Sequence, residues 1–230
     1  MVMANKGNSR HMKALNTPLY FGVERKGNVY VTKQSPGRFK LSMSIPLLLA
    51  LDRIETGARN HSELREVIKG GSVKVNYKTV TDPRYPVGLN DIIELAGSGK
   101  VYRAGISKVA KFIMDELEGA PKSRMQKVVG KFKAKGNKPM IRLYDGTVIS
   151  YGDNVNVNDT VEVDERNKVL KVTKISVDSK CFVYAGVHVG TTGTIKALVP
   201  GTSNREASAK IDDGNGNSFS TLLKNIMVIG

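Results

Sequence analysis

The chain has 230 residues, 36 Lys and Arg against 21 Asp and Glu, three His and one Cys, for a formal net charge of +15. That length predicts two or three compact modules, and 40% hydrophobic content is enough to build cores, so a wholly disordered chain is excluded. The excess of positive charge favours a polyanionic partner, nucleic acid first and an acidic membrane surface second.

Charge is unevenly placed. Residues 1–40 carry +7 and residues 98–150 carry +8, whereas 41–97 sum to zero, 151–180 to −1 and 181–230 to +1. Met1–Lys6 holds no apolar stretch, so no secretory leader is expected, and no apolar run approaches the ~20 residues that span a bilayer. The lone Cys181 excludes an internal disulfide and fits a reducing cytoplasm.

Residues 1–41 read as a basic N-terminal extension. Gly7, Gly22, Gly27, Pro18, Pro36 and Gly37 interrupt it, and apart from a short strand at Val29–Val31 no period lasts. In isolation such a segment is a flexible arm.

From Ser44 the signals become regular. Ser44 and Pro46 open a predicted helix whose apolar side is Ile45, Leu47, Leu48, Leu51 and Ile54, with Gly57 as its end. A second helix starts at Asn60 with Glu63 three residues on, a near capping box, and buries Leu64, Val67 and Ile68. Arg65 and Lys69 lie one turn apart on another face. After Gly70-Gly71 the period changes to two: Val73 and Val75 alternate with Lys74, Asn76-Tyr77 turns the chain, Val80 begins the return, and Ile92–Leu95 adds a strand.

Gly97–Gly99 is a predicted loop and Val101–Arg103 a strand. The spacing of Val109, Phe112, Ile113 and Leu117 predicts a helix over 106–117. Between Lys122 and Lys138, basic residues alternate with Val128, Val129 and Phe132, a β surface with one face available to phosphates. Ile141–Tyr144 and Thr147–Ser150 flank Asp145-Gly146 as a hairpin. The segments Val87–Leu95 and Val155–Val163 both pass through Asn-Asp into an alternating strand, a recurrent turn device. Val169–Val177 is a further strand, Asp213-Gly214 a turn, and Ile226–Ile229 a closing strand.

No chemistry-bearing constellation is present. His11, His61 and His188 are far apart, no phosphate loop occurs, and Asp52 and Asp115-Glu116 have helical-type cationic neighbours. No catalytic, metal or cofactor site is expected, and the chain is not expected to be an enzyme.

The two-helix, hairpin and strand order over 44–95 resembles the S4-type RNA-binding domain. Asn60-His61, Leu64-Arg65, Ile68, Gly71, Val73, Val75 and Asn76 fall in register with that family's pattern. His61 replaces its usual arginine. Tyr77 replaces its turn glycine, so a two-residue turn with positive φ at both centres is not expected. Val183, Gly186, Gly190, Gly193, Thr194 and Ile195 resemble the KOW motif of SH3-like barrels, with Val187 where a lysine is usual.

Taken in order, these modules resemble the archaeal/eukaryotic-type family of small-subunit ribosomal protein four. The arm segment Arg10–Pro18 and the Ser35-Pro36-Gly37 turn add to the likeness. The fold class implied is α+β and multidomain: a basic extension (1–41), an S4-type helix–hairpin–strand unit (42–104), a central small β domain (105–177) and a KOW-type SH3-like barrel (178–230). The resemblance implies a structural protein of the small ribosomal subunit, cytoplasmic on the ribosome, with ribosomal RNA and neighbouring ribosomal proteins as partners and no cofactor, membrane or small-molecule substrate. The RNA-binding candidates are Lys6, Arg10 and Lys13 on the arm; Arg53, Arg65, Lys69, Lys74 and Lys78 on the S4-type unit; and Lys127, Lys131, Lys133 and Lys135 on the central surface. Two other classes share such modules: a transient RNA-binding factor of transcription elongation or ribosome rescue, and an RNA-modifying enzyme with an appended S4 unit.

Overall fold

The computed structural model describes residues 9, 11–54, 56–58, 60–119, 121, 123–151, 154–214 and 216–229. Three five-stranded antiparallel sheets follow one another along the chain, with two separate short strand pairs, one within the arm and one between the segment before the first helix and the loop ahead of Ile92. Among the described residues the only α-helices are Leu47–Leu51 and His61–Lys69, so the protein is mostly β in several sheets.

The first sheet has the order Lys78–Thr79, Val73–Val75, Ile92–Leu95, Val101–Ile106, Phe112–Leu117. Its buried side packs on both helices around Leu47, Leu48, Leu51, Leu64, Ile68, Val73, Val75 and Ile93. The first helix is shorter than the sequence predicts. Ser44–Pro46 is a strand paired with Pro86–Gly88, and the amides of Leu47 and Leu48 donate to the carbonyls of Tyr85 and Pro83 (2.8 and 3.0 Å). Those loop carbonyls occupy the first helical donors, while Pro46, extended at φ −67°, ψ 144°, stands at the N-cap. The second helix starts where expected, but the Asn60 side chain makes no capping bond.

The helix expected over 106–117 is instead the strand Phe112–Leu117, joined to Val101–Ile106 by a tight turn in which Ala110 has φ +57°. Phe112 and Met114 reach the core while Ile113 between them faces out, so the period is two. The sheet of this unit therefore runs on to Leu117.

The arm is not a free tail from residue 11 onward. Met12–Lys13 pairs with Tyr30–Val31, Phe21 is fully buried in the first core, and Phe39 lies so close over Gly88 that a Cβ there would sit 2.5 Å from the ring. Aromatic burial at irregular spacing anchors it, which periodicity alone does not reveal.

The central sheet has the order Val148–Ser150, Lys138–Leu143, Ser123–Ala134, Thr160–Asp164, Val169–Thr173, over a core of Val128, Ile141, Leu143, Val161 and Val163. The third sheet runs Ser218–Leu222, Ser208–Asp212, Thr192–Val199, Lys180–Val183, Ile226–Val228, over Cys181, Val183, Ile195, Ile211 and Ile226. Leu89, Tyr184 and Met227 join the units at a small separate core. The recurrent Asn-Asp device is visible in both places. Asn90 and Asn158 take positive φ, and buried Asp91 and Asp159 each accept from the amide three residues back, Gly88 and Asn156 (3.0 and 2.8 Å).

Candidate nucleic-acid interface

The helix His61–Lys69 buries Leu64 and Ile68 and leaves Arg65 and Lys69 exposed on the other side. The hairpin beside it follows the same logic. Val73 and Val75 point into the core, so Lys74 must point out, and Lys78, opposite Val75, lies exposed past the turn. Helix and hairpin thus present Arg65, Lys69, Lys74 and Lys78 to solvent. Lys74 stands opposite Glu94 in the strand register, the one carboxylate in the row beside it.

The turn between those hairpin strands is of the kind the sequence argued against. Asn76 has φ +48° and Tyr77 φ +68°. Asn76 holds its place through its carboxamide, which donates to Asp91 Oδ1 (2.6 Å) and accepts from the Ile92 amide (3.0 Å). A bulky residue at φ +68° is strained. Tyr77 offsets part of that strain by donating its hydroxyl to the Pro121 carbonyl, in the segment leading to the central sheet. The residue at the glycine position therefore ties two units together. Burial also pushes the Tyr77 hydroxyl pKa up, with nearby carboxylates adding to it.

Two expected RNA contacts are corrected by the structure. Lys127 is buried at 2% exposure, its Nζ donating to the carbonyls of Leu223 and Ile226 (both 2.6 Å) and lying 5.6 Å from the Tyr184 ring centre. Burial pulls its pKa down to about 7. It fastens the central sheet to the third sheet and is not available to a phosphate. Arg53 is half-buried, and its guanidinium donates to the carbonyls of Phe21 and Phe112, clamping the arm to the last strand of the first sheet. Burial lowers its pKa, an effect that Asp52 opposes.

The remaining candidates divide by place. Lys13 is exposed on the arm strand, and Lys131, Lys133 and Lys135 are exposed toward the far end of the long strand Ser123–Ala134 and its turn. They form a second cationic region, distinct from the helix face. Lys6 and Arg10 lie outside the described residues. Arg84 and Tyr30 escape the sequence argument. Arg84 donates Nε to the Lys33 carbonyl (3.0 Å), and both line the same cavity as Arg65, with Tyr30 60% exposed. Only the loop folding of 82–85 over the arm brings them to the helix.

Gly186 and Gly190 have φ +100° and +77°, and a Cβ on Gly193 would sit 2.5 Å from the Asp212 carbonyl. Val187 is 94% exposed, His188 stacks on Phe219 at 4.1 Å, and Lys196 lies 3.9 Å from Asp178. No cluster of metal-ligating side chains occurs among the described residues, and no described helix is long and apolar enough to cross a membrane.

Comparison with known proteins converges on one group. The model of the ribosomal family S4e matches residues 98–168, and that of the S4 domain matches residues 57–93. The small ribosomal subunit protein eS4 of Desulfurococcus amylolyticus is 30% identical over 244 residues, covering 99% of this chain and 95% of its own. Its namesake in Spodoptera frugiperda is 28% identical over 98% of this chain and 86% of its own, and that of Methanothermobacter thermautotrophicus 27% over 99% and 95%. In fold, the chain is similar to the crystal structure of the 30S ribosomal protein S4e from Thermoplasma acidophilum, with a TM-score of 0.68 and 24% identity over 82% of this chain and 95% of the other.

Proposed function

The chain belongs to the S4e family of small-subunit ribosomal proteins, and from that membership we propose that it binds small-subunit ribosomal RNA through the exposed cations of its second helix and the hairpin after it. It is a structural component of the small subunit, not an enzyme. Its partners are ribosomal RNA and neighbouring ribosomal proteins, and its place is the cytoplasmic ribosome. The observation that carries the reading is the exposed cation set Arg65, Lys69, Lys74 and Lys78, all within the S4-domain match, over a fully formed apolar core. Exposed cations on a rigid support neutralise phosphates and release counterions without reorganising the protein.

In this reading the unit that holds the helices extends to Leu117, the central sheet supplies Lys131, Lys133 and Lys135 as a second phosphate region, and the last sheet is a KOW-type SH3-like barrel. The positive-φ glycines Gly186 and Gly190 support the last assignment. Lys13, with Lys6 and Arg10, extends the footprint along the arm. Sedimentation of the tagged chain with small subunits through high-salt washes tests the proposal. A resident protein stays with the subunit, whereas loss at moderate salt would mark a transient factor.

A further inference from the structure

Between the arm and the helix His61–Lys69 lies a cavity of about 560 Å3. Its floor is apolar, made by Met12, Val23, Val31 and Leu49. Lys33, Arg65 and Arg84 stand among its lining residues, and among the described residues that line it none is Asp or Glu. Tyr30 adds an aromatic wall that is 60% exposed, with the His11 ring edge-on to it at 6.1 Å. Arg84 is held in place by the Lys33 carbonyl and Lys33 Nζ by the Ser9 carbonyl (2.6 Å), so two of the cations are positioned by the fold.

We propose that this cleft takes one unpaired nucleotide of RNA, its base between Tyr30 and the apolar floor and its phosphate beside Arg65 and Arg84. The volume lies in the range of small-ligand pockets, roughly 300–1,000 Å3. An apolar side chain of another protein would leave the cations around it without counter-charge. A phosphate alone would leave Tyr30 and the floor facing water. A nucleotide satisfies both, and single-stranded or bulged RNA offers bases that stack on exposed aromatic rings. A paired stem keeps its bases inside and has nothing to insert. The inference rests on the RNA-binding reading above and adds to it a place and a structural preference.

The test uses the full chain and three hairpin RNAs with one stem: one with a bulged adenosine, one without the bulge, and one with an abasic residue at the bulge. At a fixed salt concentration the bulged hairpin is expected to bind roughly five- to a hundredfold tighter than the other two, the range that stacking one base supplies. Tyr30→Ala should abolish that preference while keeping the affinity for the unbulged stem, with an unchanged melting temperature as the folding control. The chain has no Trp, so a Tyr30→Trp variant carries a single indole, whose fluorescence should be quenched by the bulged hairpin alone. Equal binding of the three hairpins, or a preference that survives Tyr30→Ala, overturns the cleft assignment and leaves RNA binding standing. Failure of all three to bind overturns both.

Discussion

Arg38 reaches from the arm to Asp145, with Nη1 3.2 Å from Oδ2 of a fully buried carboxylate in the central hairpin turn. The same oxygen accepts from Arg124 at 2.8 Å, and the Thr147 amide and hydroxyl complete the carboxylate's shell. The other end of the guanidinium, Nη2, lies 3.5 Å from Asp91 in the first unit. That contact is an ion pair without a hydrogen bond, since Nη2 is buried and otherwise unpartnered. Burial works against the charge on Arg38, but Asp91, Tyr85 and Asp145 together outweigh it and hold its pKa above the ordinary value. One arginine thus joins arm, first unit and central sheet.

Arg38→Ala should therefore destabilise the protein at pH 7 by about 2 kcal/mol, below the usual cost of opening a fully buried pair because this side chain is 30% exposed. Burial has already raised the Asp91 pKa above 3.8, opposed chiefly by Arg38, so the variant raises it further. Below 3.8 Asp91 is neutral folded or unfolded and feels no loss; the penalty grows as pH rises through its folded pKa. Urea midpoints at pH 7 and pH 4.5 check this, the gap between variant and parent being smaller at the lower pH.

Lys127 sets a second pH dependence. Its folded pKa is about 7 against 10.5 in the unfolded chain, so between those values the unfolded state binds more protons and stability rises with pH. The neutral amine still has two hydrogens for the carbonyls of Leu223 and Ile226. In Lys127→Met the rise between pH 7 and 10 should vanish, leaving two carbonyls without a donor and a lower midpoint at pH 10 than the parent. Its RNA affinity should fall with salt as steeply as the parent's, since no phosphate contact is lost.

That case also shows what is legible in the sequence. The alternation at Val73 and Val75, the strand Ile92–Leu95 and the paired Asn-Asp turns are local patterns, and the structure contains them. Lys127 occupies the same strand as Lys131 and Lys133 and looks identical in sequence. Only carbonyls 96 and 99 residues away decide that it is buried. Arg53 is the same case: its acceptors, Phe21 and Phe112, lie 32 and 59 residues off. Cations bound by distant backbone cannot be told from phosphate-binding ones by composition or period.

Arg65→Ala with Lys69→Ala should lower RNA affinity and reduce the slope of log K against log salt by about one to two, as each lost phosphate contact removes roughly 0.7–0.9. The melting temperature should hardly move, because both side chains are exposed beside an intact Leu64–Ile68 stripe. Arg53→Ala should do the reverse, keeping the slope and lowering the melting temperature. Filter binding across a salt series, with thermal melts of the same samples, reads both.

At the hairpin turn, Tyr77→Phe removes only the hydroxyl bond to Pro121 and should cost about 0.5–1.5 kcal/mol. Tyr77→Gly loses the same bond but relieves the φ of +68°, worth about 1 kcal/mol. The glycine variant should therefore melt above the phenylalanine one. A lower melt for glycine would mean that ring packing outweighs backbone strain.

Gly190 and Gly186 separate strain from collision in the last sheet. Both have positive φ, so alanine at either costs about 1 kcal/mol in backbone strain. At Gly186 the new methyl would meet only the Asn225 side-chain amide at 3.1 Å, a group that can swing aside. At Gly190 it would lie 2.5 Å from the backbone of Ser107 and Lys108, which belongs to the turn joining the last two strands of the first sheet. Neither segment can yield without moving a strand. Gly190→Ala should thus lose at least about 1 kcal/mol more than Gly186→Ala, within the usual range for overpacking, and should speed hydrogen exchange in the Ser107–Lys111 turn. Equal losses at the two positions would show that the contact between the C-terminal loop and the first unit is loose enough to open without cost.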